Sequence, residues 1–261
     1  MMNEKVFISG SISIKNLDKN IFSRLENIIE KKMHILVGDA SGIDILIQEF
    51  FAKRNYYNVT VYSIYSNPRN IYSQKFSTKI ISVPDNIKKE REKQVYKDKQ
   101  MTADSNYSFI IWDNKSKGSY GNAIRALKLK KKIVVYLNNE QSFLKQDKCT
   151  APEIEFIYRK HNGYSASEIV EYLKQERIEF FSNTKDLNKF LVKNKIIVKS
   201  EKDYKPSPEL SSDKAASYFI HTKHKGHDTR INYTNDLIEW IQKKITESNI
   251  EETDPEQGKL F

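Results

Sequence analysis

The sequence predicts an α/β protein: a doubly wound, mostly parallel sheet followed by a small α+β module. Three observations predict it. Over the first half of the 261 residues, short apolar runs alternate with stretches of helical spacing, the pattern of strand, crossover helix and parallel strand. Five of the 8 glycines, Gly10, Gly38, Gly42, Gly118 and Gly121, fall directly after these runs or just inside the following helix. The alternation then stops at Leu137, and capping signals restart near Ser165.

Each element has its own local signal. Val6–Ser9 is an apolar run closed by Gly10-Ser11, a first strand and its loop. Asp18 suits an N-cap for a helix with Ile21, Leu25, Ile28 and Ile29 on one face. Ile35–Val37 is a second strand, Gly38–Gly42 its loop, and Ile43 to about Arg54 a second helix. Val59–Ser63 is a third strand, whereas residues 66–85 are polar and irregular around Pro68-Arg69-Asn70. A charged helix over Ile87–Ala103 feeds a fourth strand, Tyr107–Trp112. The loop Asp113–Ser119, a helix over Tyr120–Leu129 and a strand over Ile133–Leu137 complete the pattern. Residues 139–161 are polar and predict a linker with some local structure.

A second module is expected over residues 162–246. Ser165-Ala166-Ser167-Glu168 is a capping box opening a helix with Ile169, Tyr172 and Leu173 inward. Thr184 suits the cap of a second helix carrying Leu187, Phe190 and Leu191, and Ile196–Val198 a short strand. Tyr218–His221 and Arg230–Tyr233 pair as a hairpin across Lys225-Gly226, and Thr234 caps a last helix with Leu237, Ile238, Trp240, Ile241 and Ile245 inward. Two short helices, a hairpin and a flanking helix predict a winged-helix-like module. Residues 247–261 read as an acidic disordered tail.

Composition narrows the function classes. The formal net charge is +10. Residues 1–145 hold 25 Lys/Arg against 14 Asp/Glu, and residues 146–261 hold 19 against 20. A basic first half suits a nucleotide or nucleic acid, although a Lys-rich composition gives the same sum without a partner. Cys149 is the only cysteine, which excludes an intrachain disulfide and a cysteine-based zinc site. No apolar run is long enough to span a membrane and the N-terminus has no apolar secretory stretch, so a cytoplasmic protein without a membrane partner is expected. No metal site is expected: His221, His224 and His227 are three residues apart in a hairpin without an obvious fourth ligand.

Three candidate strand ends, Gly10-Ser11, Gly38–Gly42 and Asp113–Ser119, converge in a doubly wound sheet, where ligands bind at the carboxyl ends of the strands. Glycines let backbone approach a ligand closely, and N–H groups at a helix start attract anions. The residues expected to bind ligand are Gly10, Ser11, Gly38, Asp39, Gly42, Asp44, Arg69, Asn70, Trp112, Lys115, Ser116, Gly118, Ser119 and Asn122. Asp39 and Asp44 suit ribose hydroxyls, the positioning of a water, or helix capping, with capping or compensation of the helix dipole favoured for Asp44. Arg69 suits bidentate closure over a phosphate. Asp39, Asp98 and Asp113 are the catalytic candidates if there is chemistry.

The strings ISGS at 8–11, VGDASGID at 37–44, PRN at 68–70, YKDKQMTAD at 96–104, IIWDNKSKGSYGN at 110–122 and KKIVVYL at 131–137 resemble the SLOG superfamily of Rossmann-like nucleotide-binding domains, in particular its YspA-related branch. The resemblance covers the first half of the chain, residues 1–138. It implies a Rossmann-like fold, a nucleotide or nucleotide-derived ligand, and a place in phage–host conflict or nucleotide signalling. Related phosphoribohydrolases and deoxyribosyltransferases carry a glutamate four residues after the loop glycine, where this chain has Asn122. A neutral amide cannot serve as the carboxylate that stabilises an oxocarbenium-like centre. The strings YSASEIVEYL, TKDLNKFLVKNKIIVKS and INYTNDLIEWIQKKI are similar to the C-terminal domain of KilA-type phage antirepressors. That similarity implies a recognition helix over Lys185–Asn194 with Lys185, Asn188, Lys189 and Lys193 outward, facing DNA or a protein partner.

The resulting expectation is a protein that senses or sequesters a nucleotide-derived ligand. A nucleotide-processing hydrolase acting on an N-glycosidic or phosphate bond, and a DNA-binding regulator, are the alternatives. No further cofactor is expected. Whether the ligand is cleaved, and whether the chain forms a homo-oligomer, are left open by the sequence.

Overall fold

The computed structural model describes residues 4–201, 203–224 and 227–253. The chain divides into two compact units, 1–157 and 158–261.

The first unit is a seven-stranded sheet of β1 (Lys5–Gly10), β2 (His34–Val37), β3 (Val59–Ser63), β4 (Ser77–Ile80), β5 (Tyr107–Trp112), β6 (Lys132–Leu137) and β7 (Ser142–Phe143). The strand order is β4-β3-β2-β1-β5-β6-β7, parallel throughout except for β7. Between β2 and β3 runs α2 (Ile43–Lys53); α1 (Lys19–Glu30), α3 (Glu90–Asp104) and α4 (Lys117–Lys128) make the other crossovers. This is a Rossmann-like, doubly wound sheet. The chain works outward from β1 to β4, then returns to the other side of β1 with β5. The boundary between β1 and β5 is therefore the topological switch point, where loops at the carboxyl ends splay apart and leave a crevice.

The strand alternation explains the two cores. Val6 and Ile8 face α1 and α2, packing with Ile21, Leu25, Ile43, Ile47, Phe50 and Phe51. Phe7 points the other way and packs with Leu36, Tyr62, Ile81 and Met101 of α3. A period of two on each strand thus serves helices on both faces. Asp18 caps α1, its carboxylate accepting the Asn20 N–H at 2.7 Å.

Some elements differ from the sequence expectation. The irregular segment 66–85 contains β4, which pairs in parallel with β3. All four of its residues are exposed, so no apolar run marked it; only pairing with an existing edge makes it a strand. The helix expected from Tyr120 starts three residues earlier, at Lys117, with Ser116 as N-cap. The 139–161 segment holds β7, a 3-10 turn over Gln146–Lys148 and α5 (Ala151–Asn162). Pro152 sits in the first turn of α5, where its missing N–H costs nothing.

The second unit is α+β. It contains α6 (Ala166–Gln175), α7 (Thr184–Lys193), an antiparallel pair β8 (Ile197–Lys199) and β9 (Tyr204–Pro206), α8 (Ser212–Tyr218), the hairpin strands β10 (Phe219–His224) and β11 (His227–Tyr233), and α9 (Asn235–Thr253). Its core joins Ile169 and Leu173 of α6, Leu187 and Leu191 of α7, Phe219 and Tyr233 of the hairpin, and Leu237, Ile238, Ile241 and Ile245 of α9. Ser165 and Glu168 form the expected reciprocal capping box. Asn183, not Thr184, caps α7, accepting the N–H groups of Lys185 and Asp186. An asparagine reaches back across the first turn as well as a threonine does, and the boundary moves by one residue. The short β9 and α8 had no marked sequence signal. Part of the segment expected as a disordered tail is helical, since α9 continues to Thr253; Lys244 and Glu247 pair at 2.7 Å where that extension begins. Residues 254–261 and the hairpin tip at 225–226 lie outside the described residues.

Candidate functional site

The switch point opens into a cleft of about 460 Å³. Its wall joins β1 and the loop after it (Ser9 to Ser13), the loop before α2 (Ala40), Asp44 of α2, Arg69, one face of α3, and the loop and first turns of α4 from Asp113 to Asn122. A larger hollow of about 550 Å³ lies at the opposite, amino ends of the strands. It is a mainly apolar groove over Val6, Ile28, Met33, Phe109 and Val134. The smaller cleft is the candidate site because three loops bring polar groups together there.

Two glycines make the crevice possible. A Cβ on Gly10 would lie 2.5 Å from the Ile111 carbonyl oxygen and from Ile43 Cγ1, so any side chain would collide with the neighbouring strand and with α2. Gly42 has φ +75°, and a Cβ there would fall 2.6 Å from the backbone of Ile12.

On one side the cleft carries hydroxyls. Ser11 Oγ lies 2.7 Å from Ser116 Oγ and 3.3 Å from Ser119 Oγ, and Ser116 donates to Ser119 at 2.9 Å. These three serines sit at the amino end of α4, with Lys117 beside them on the wall. Asp113 organises the loop. Its Oδ1 accepts the N–H groups of Lys115 (3.0 Å) and Ser116 (2.7 Å), and its Oδ2 accepts the Ser13 hydroxyl (2.6 Å). Burial alone would raise the Asp113 carboxyl, but these donors outweigh it and hold it below the usual range. Asp113 is thus a committed anion and a poor proton donor.

On the other side the cleft carries carboxyls. Asp44 is pushed up to about 6. Burial is the main cause, opposed by the Lys97 charge and the Ala40 N–H at 3.1 Å, and reinforced by Asp98 and Asp39. Asp98 is raised by burial, against the opposing effects of Lys97, Arg125 and the Asn122 side chain. Asn122 is itself oriented, because the Arg125 guanidinium donates to its Oδ1.

Asp39 lies behind this wall rather than on it. It is 0 % exposed and accepts from Arg69 Nη2 (2.7 Å), Arg69 N (3.2 Å), Ser63 Oγ (2.8 Å) and Lys97 Nζ (3.1 Å). Burial would raise its carboxyl, yet Arg69, Lys97 and Ser63 hold it far below the usual range. The carboxylate fastens Arg69 and Lys97 in place, and the geometry gives it no access to a ligand as a catalytic group.

Of the residues expected to bind ligand, Gly10, Ser11, Asp44, Arg69, Ser116, Gly118, Ser119 and Asn122 line the cleft, as do the catalytic candidates Asp98 and Asp113. The others do not. Trp112 is 0 % exposed, and its indole N–H donates to the Ser116 carbonyl at 3.1 Å, so it braces the loop from inside the core. Gly38 leaves the space that Asp44 and Lys97 fill. Gly42 packs against Ile12. Asn70 donates to the Asp39 carbonyl at 2.9 Å, beneath the surface. Lys115 lies on a neighbouring hollow with Ser13, Lys15 and Asn139. Asp44 is in the first turn of α2, where the dipole alternative placed it, but does not cap the helix; Gly42 is the N-cap and makes no side-chain bond.

Sequence reasoning missed Ser9, Arg91 and Gln94 on the wall. The signal was present for α3: Arg91, Gln94, Val95, Asp98 and Met101 follow helical spacing and all line the cleft. The high charge of that helix hid the stripe.

In the second unit, Lys185, Lys189 and Lys193 are exposed on α7. Asn188 is not turned outward as expected: it is half-buried and its Oδ1 is enclosed with no hydrogen-bond partner. It follows Leu187 and precedes Leu191 by three, so it flanks the apolar face. His221 is exposed, whereas the side chains of His224 and His227 lie outside the described residues. Among the described residues no cluster of His, Cys, Asp and Glu could hold a metal ion, and no helix is long and apolar enough to cross a membrane.

No family model and no curated protein matches the chain. Two solved structures are similar. One is the molybdenum cofactor binding protein of Rippkaea orientalis, at 10% identity and TM-score 0.43, covering 74% of this chain and 98% of that one. The other is DNA processing protein A of Helicobacter pylori, described for its single-stranded DNA binding mode, at 16% identity and TM-score 0.39, covering 73% and 81%. Likeness this distant carries no argument about ligand or chemistry. The fold assignment rests on the sheet topology itself.

Proposed function

We propose that the first unit binds a nucleotide-derived ligand in the cleft at the switch point, with its anionic group at the amino end of α4. The observation that carries this reading is the cluster of Ser11, Ser116 and Ser119 hydroxyls at that helix start, with Arg91 and Lys117 on the same wall beside the Asp39-paired Arg69 and Lys97. Helix N–H groups and hydroxyls surround a phosphate with donors, and the cations offset its charge. The cleft has room for more than a phosphate alone. In this reading the protein senses or sequesters its ligand, as the SLOG resemblance suggests for cytoplasmic nucleotide signalling or phage conflict.

Native mass spectrometry of the purified chain, followed by thermal shift against nucleotides, tests this. A ligand that binds only the folded state adds about 2.7 kcal/mol at roughly 100 times its Kd. Nucleotides that leave the melting temperature unchanged, together with a mass that shows bare protein, reject the reading.

One observation favours a second reading, nucleotide hydrolysis. Asp44 and Asp98 line the cleft with raised pKa values, as a general acid requires near neutral pH. Release of free base or phosphate on incubation, lost in Asp98→Asn, would establish it. For the second unit, the exposed lysines Lys185, Lys189 and Lys193 favour docking on DNA. Duplex binding that weakens steeply with salt would support that, and folded protein without such binding would favour a protein partner.

A further inference from the structure

The apolar groove at the amino ends of the strands lies apart from the cleft and takes no part in the reading above. Its floor is the sheet. Tyr107 and Phe109 of β5 and Val134 of β6 pack toward the core under α1, and Lys132 shares the Val134 face because strand side chains alternate. Its wall is α1, where Arg24, Asn27, Ile28 and Lys31 follow i, i+3, i+4, i+7 spacing and all line the groove. The chain leaves β6 through the two-residue antiparallel β7 rather than a crossover helix. Among the described residues α1 is the one α-helix lining the groove. A doubly wound sheet normally buries both faces, yet Val134 stays half-buried although Phe109, its partner on β5, is 3 % exposed.

Shape and charge choose the occupant. The volume of about 550 Å³ is that of a small-molecule site, and the residues from Arg24 to Lys31 give the wall a length of about 10 Å. Arg24, Lys31 and Lys132 are exposed at its edges, and among the described residues none of them pairs with a carboxylate. The one acid on the wall, Glu4, accepts the Tyr107 hydroxyl at 2.7 Å. Arg24 lies over the Phe143 ring, an arrangement that leaves the in-plane N–H groups of a guanidinium able to meet a carboxylate. Lys31 is the C-cap of α1, where the terminal carbonyls offset part of its charge, so Arg24 and Lys132 carry the preference. A second copy seated here through the same face would set like charges against each other, and a small polar anion would leave the apolar floor wet. We propose that this groove is a second binding site, for a single amphipathic anion: a medium-length acyl chain against Phe109, Ile28 and Val134, with its carboxylate between Arg24 and Lys132.

Calorimetric titration of the full chain with decanoate, decyl glucoside and decyltrimethylammonium, each below its micelle-forming concentration, is the test. Decanoate should bind one to one and about tenfold tighter than the neutral glucoside, the worth of two exposed ion pairs, while the cationic amphiphile should not bind. The double variant Arg24→Gln/Lys132→Gln, which changes only exposed side chains, should erase the tenfold preference and leave the glucoside unchanged. Val134→Glu, which puts a carboxylate on the floor, should abolish decanoate binding with the circular dichroism spectrum unaltered. Equal affinity for decanoate and glucoside, a silent double variant, or decanoate binding that survives Val134→Glu overturns the proposal. So does binding to anionic lipid vesicles without binding to monomeric decanoate, which would make the groove a membrane contact. Binding of a Leu/Glu amphipathic helical peptide in place of decanoate would also overturn it and give the groove to a protein partner. None of these outcomes bears on nucleotide binding in the cleft.

Discussion

The two units bury different things. In the first, the interior holds Asp39, Lys97, Gln48, Asn114, Asn122 and seven hydroxyl side chains alongside the apolar core. In the second, Ser207 is the single buried polar side chain among the described residues, and the core is otherwise aliphatic and aromatic. The first also contains the raised carboxyls of the cleft, Asp44 and Asp98. Buried polar groups stabilise poorly, and of these Ser9, Ser11, Lys97, Ser119 and Asn122 line the cleft at the carboxyl ends of the strands, with Asp39 behind it. The second unit is built on side-chain packing and capping, and whatever it recognises must be met by its surface.

The largest test of this contrast is Asp39→Ala. It leaves Lys97, only 2 % exposed, without its 3.1 Å partner, and should cost about 3–5 kcal/mol. Urea unfolding followed through Trp112 in a Trp240→Phe background measures it. A loss below about 1 kcal/mol would mean the network is not structural. The Asp39 carboxyl is held low, so its contribution is present above the usual carboxylate pKa and declines as pH falls through the still lower folded value.

Asp44 should behave in the opposite sense. Its folded pKa is raised to about 6 from 3.8, so its stabilising form is the protonated one. That contribution is complete below the unfolded pKa and is lost as pH rises through about 6. Asp44→Asn should therefore stabilise the first unit by on the order of 1–3 kcal/mol at pH near 8, with the gain vanishing near pH 4. Melting curves across that range check it, and a variant that is less stable at high pH would show the carboxylate to be better compensated than its surroundings suggest.

Smaller effects belong to the second unit. Ser165→Ala removes the capping box at α6 and should cost about 1 kcal/mol, read from far-ultraviolet circular dichroism in urea. Asn188→Leu removes an enclosed, unpartnered amide oxygen in favour of an apolar group of similar size and should be neutral or slightly stabilising. The smallest effect on stability is expected of Lys185→Ala, Lys189→Ala and Lys193→Ala, within about 0.5 kcal/mol each because all three are exposed. If they meet phosphates, the triple variant flattens the salt dependence of duplex binding by about three units at most, measured by fluorescence anisotropy.

The sequence by itself determined most of the first unit, because its strands and helices are local. Val59–Ser63 and Tyr107–Trp112 have the bounds their apolar runs predict, and Asp18 and Ser165 cap where hydroxyl or carboxylate precedes a helical stripe. The three glycine loops converge as expected because a parallel sheet places all its strand ends on one side. Tertiary structure alone decided what lies on the wall and what lies behind it. Asp39 and Asp44 are five residues apart in one loop and helix turn, yet one is a buried anchor and the other faces the cleft with a raised pKa. The difference is set by Arg69 and Lys97, which arrive from distant parts of the chain. Trp112 reads as a ligand-binding residue at the end of its strand and is in fact core, since the turn after β5 folds back over its indole. The edge strand β4 exists only because β3 offers free hydrogen-bonding groups. Ser9 looks like any serine at a strand end; only the fold encloses its hydroxyl without a partner beside the cleft. Local periodicity is written in neighbouring residues, whereas burial, charge pairing and an unmatched hydroxyl are relations between residues far apart in sequence.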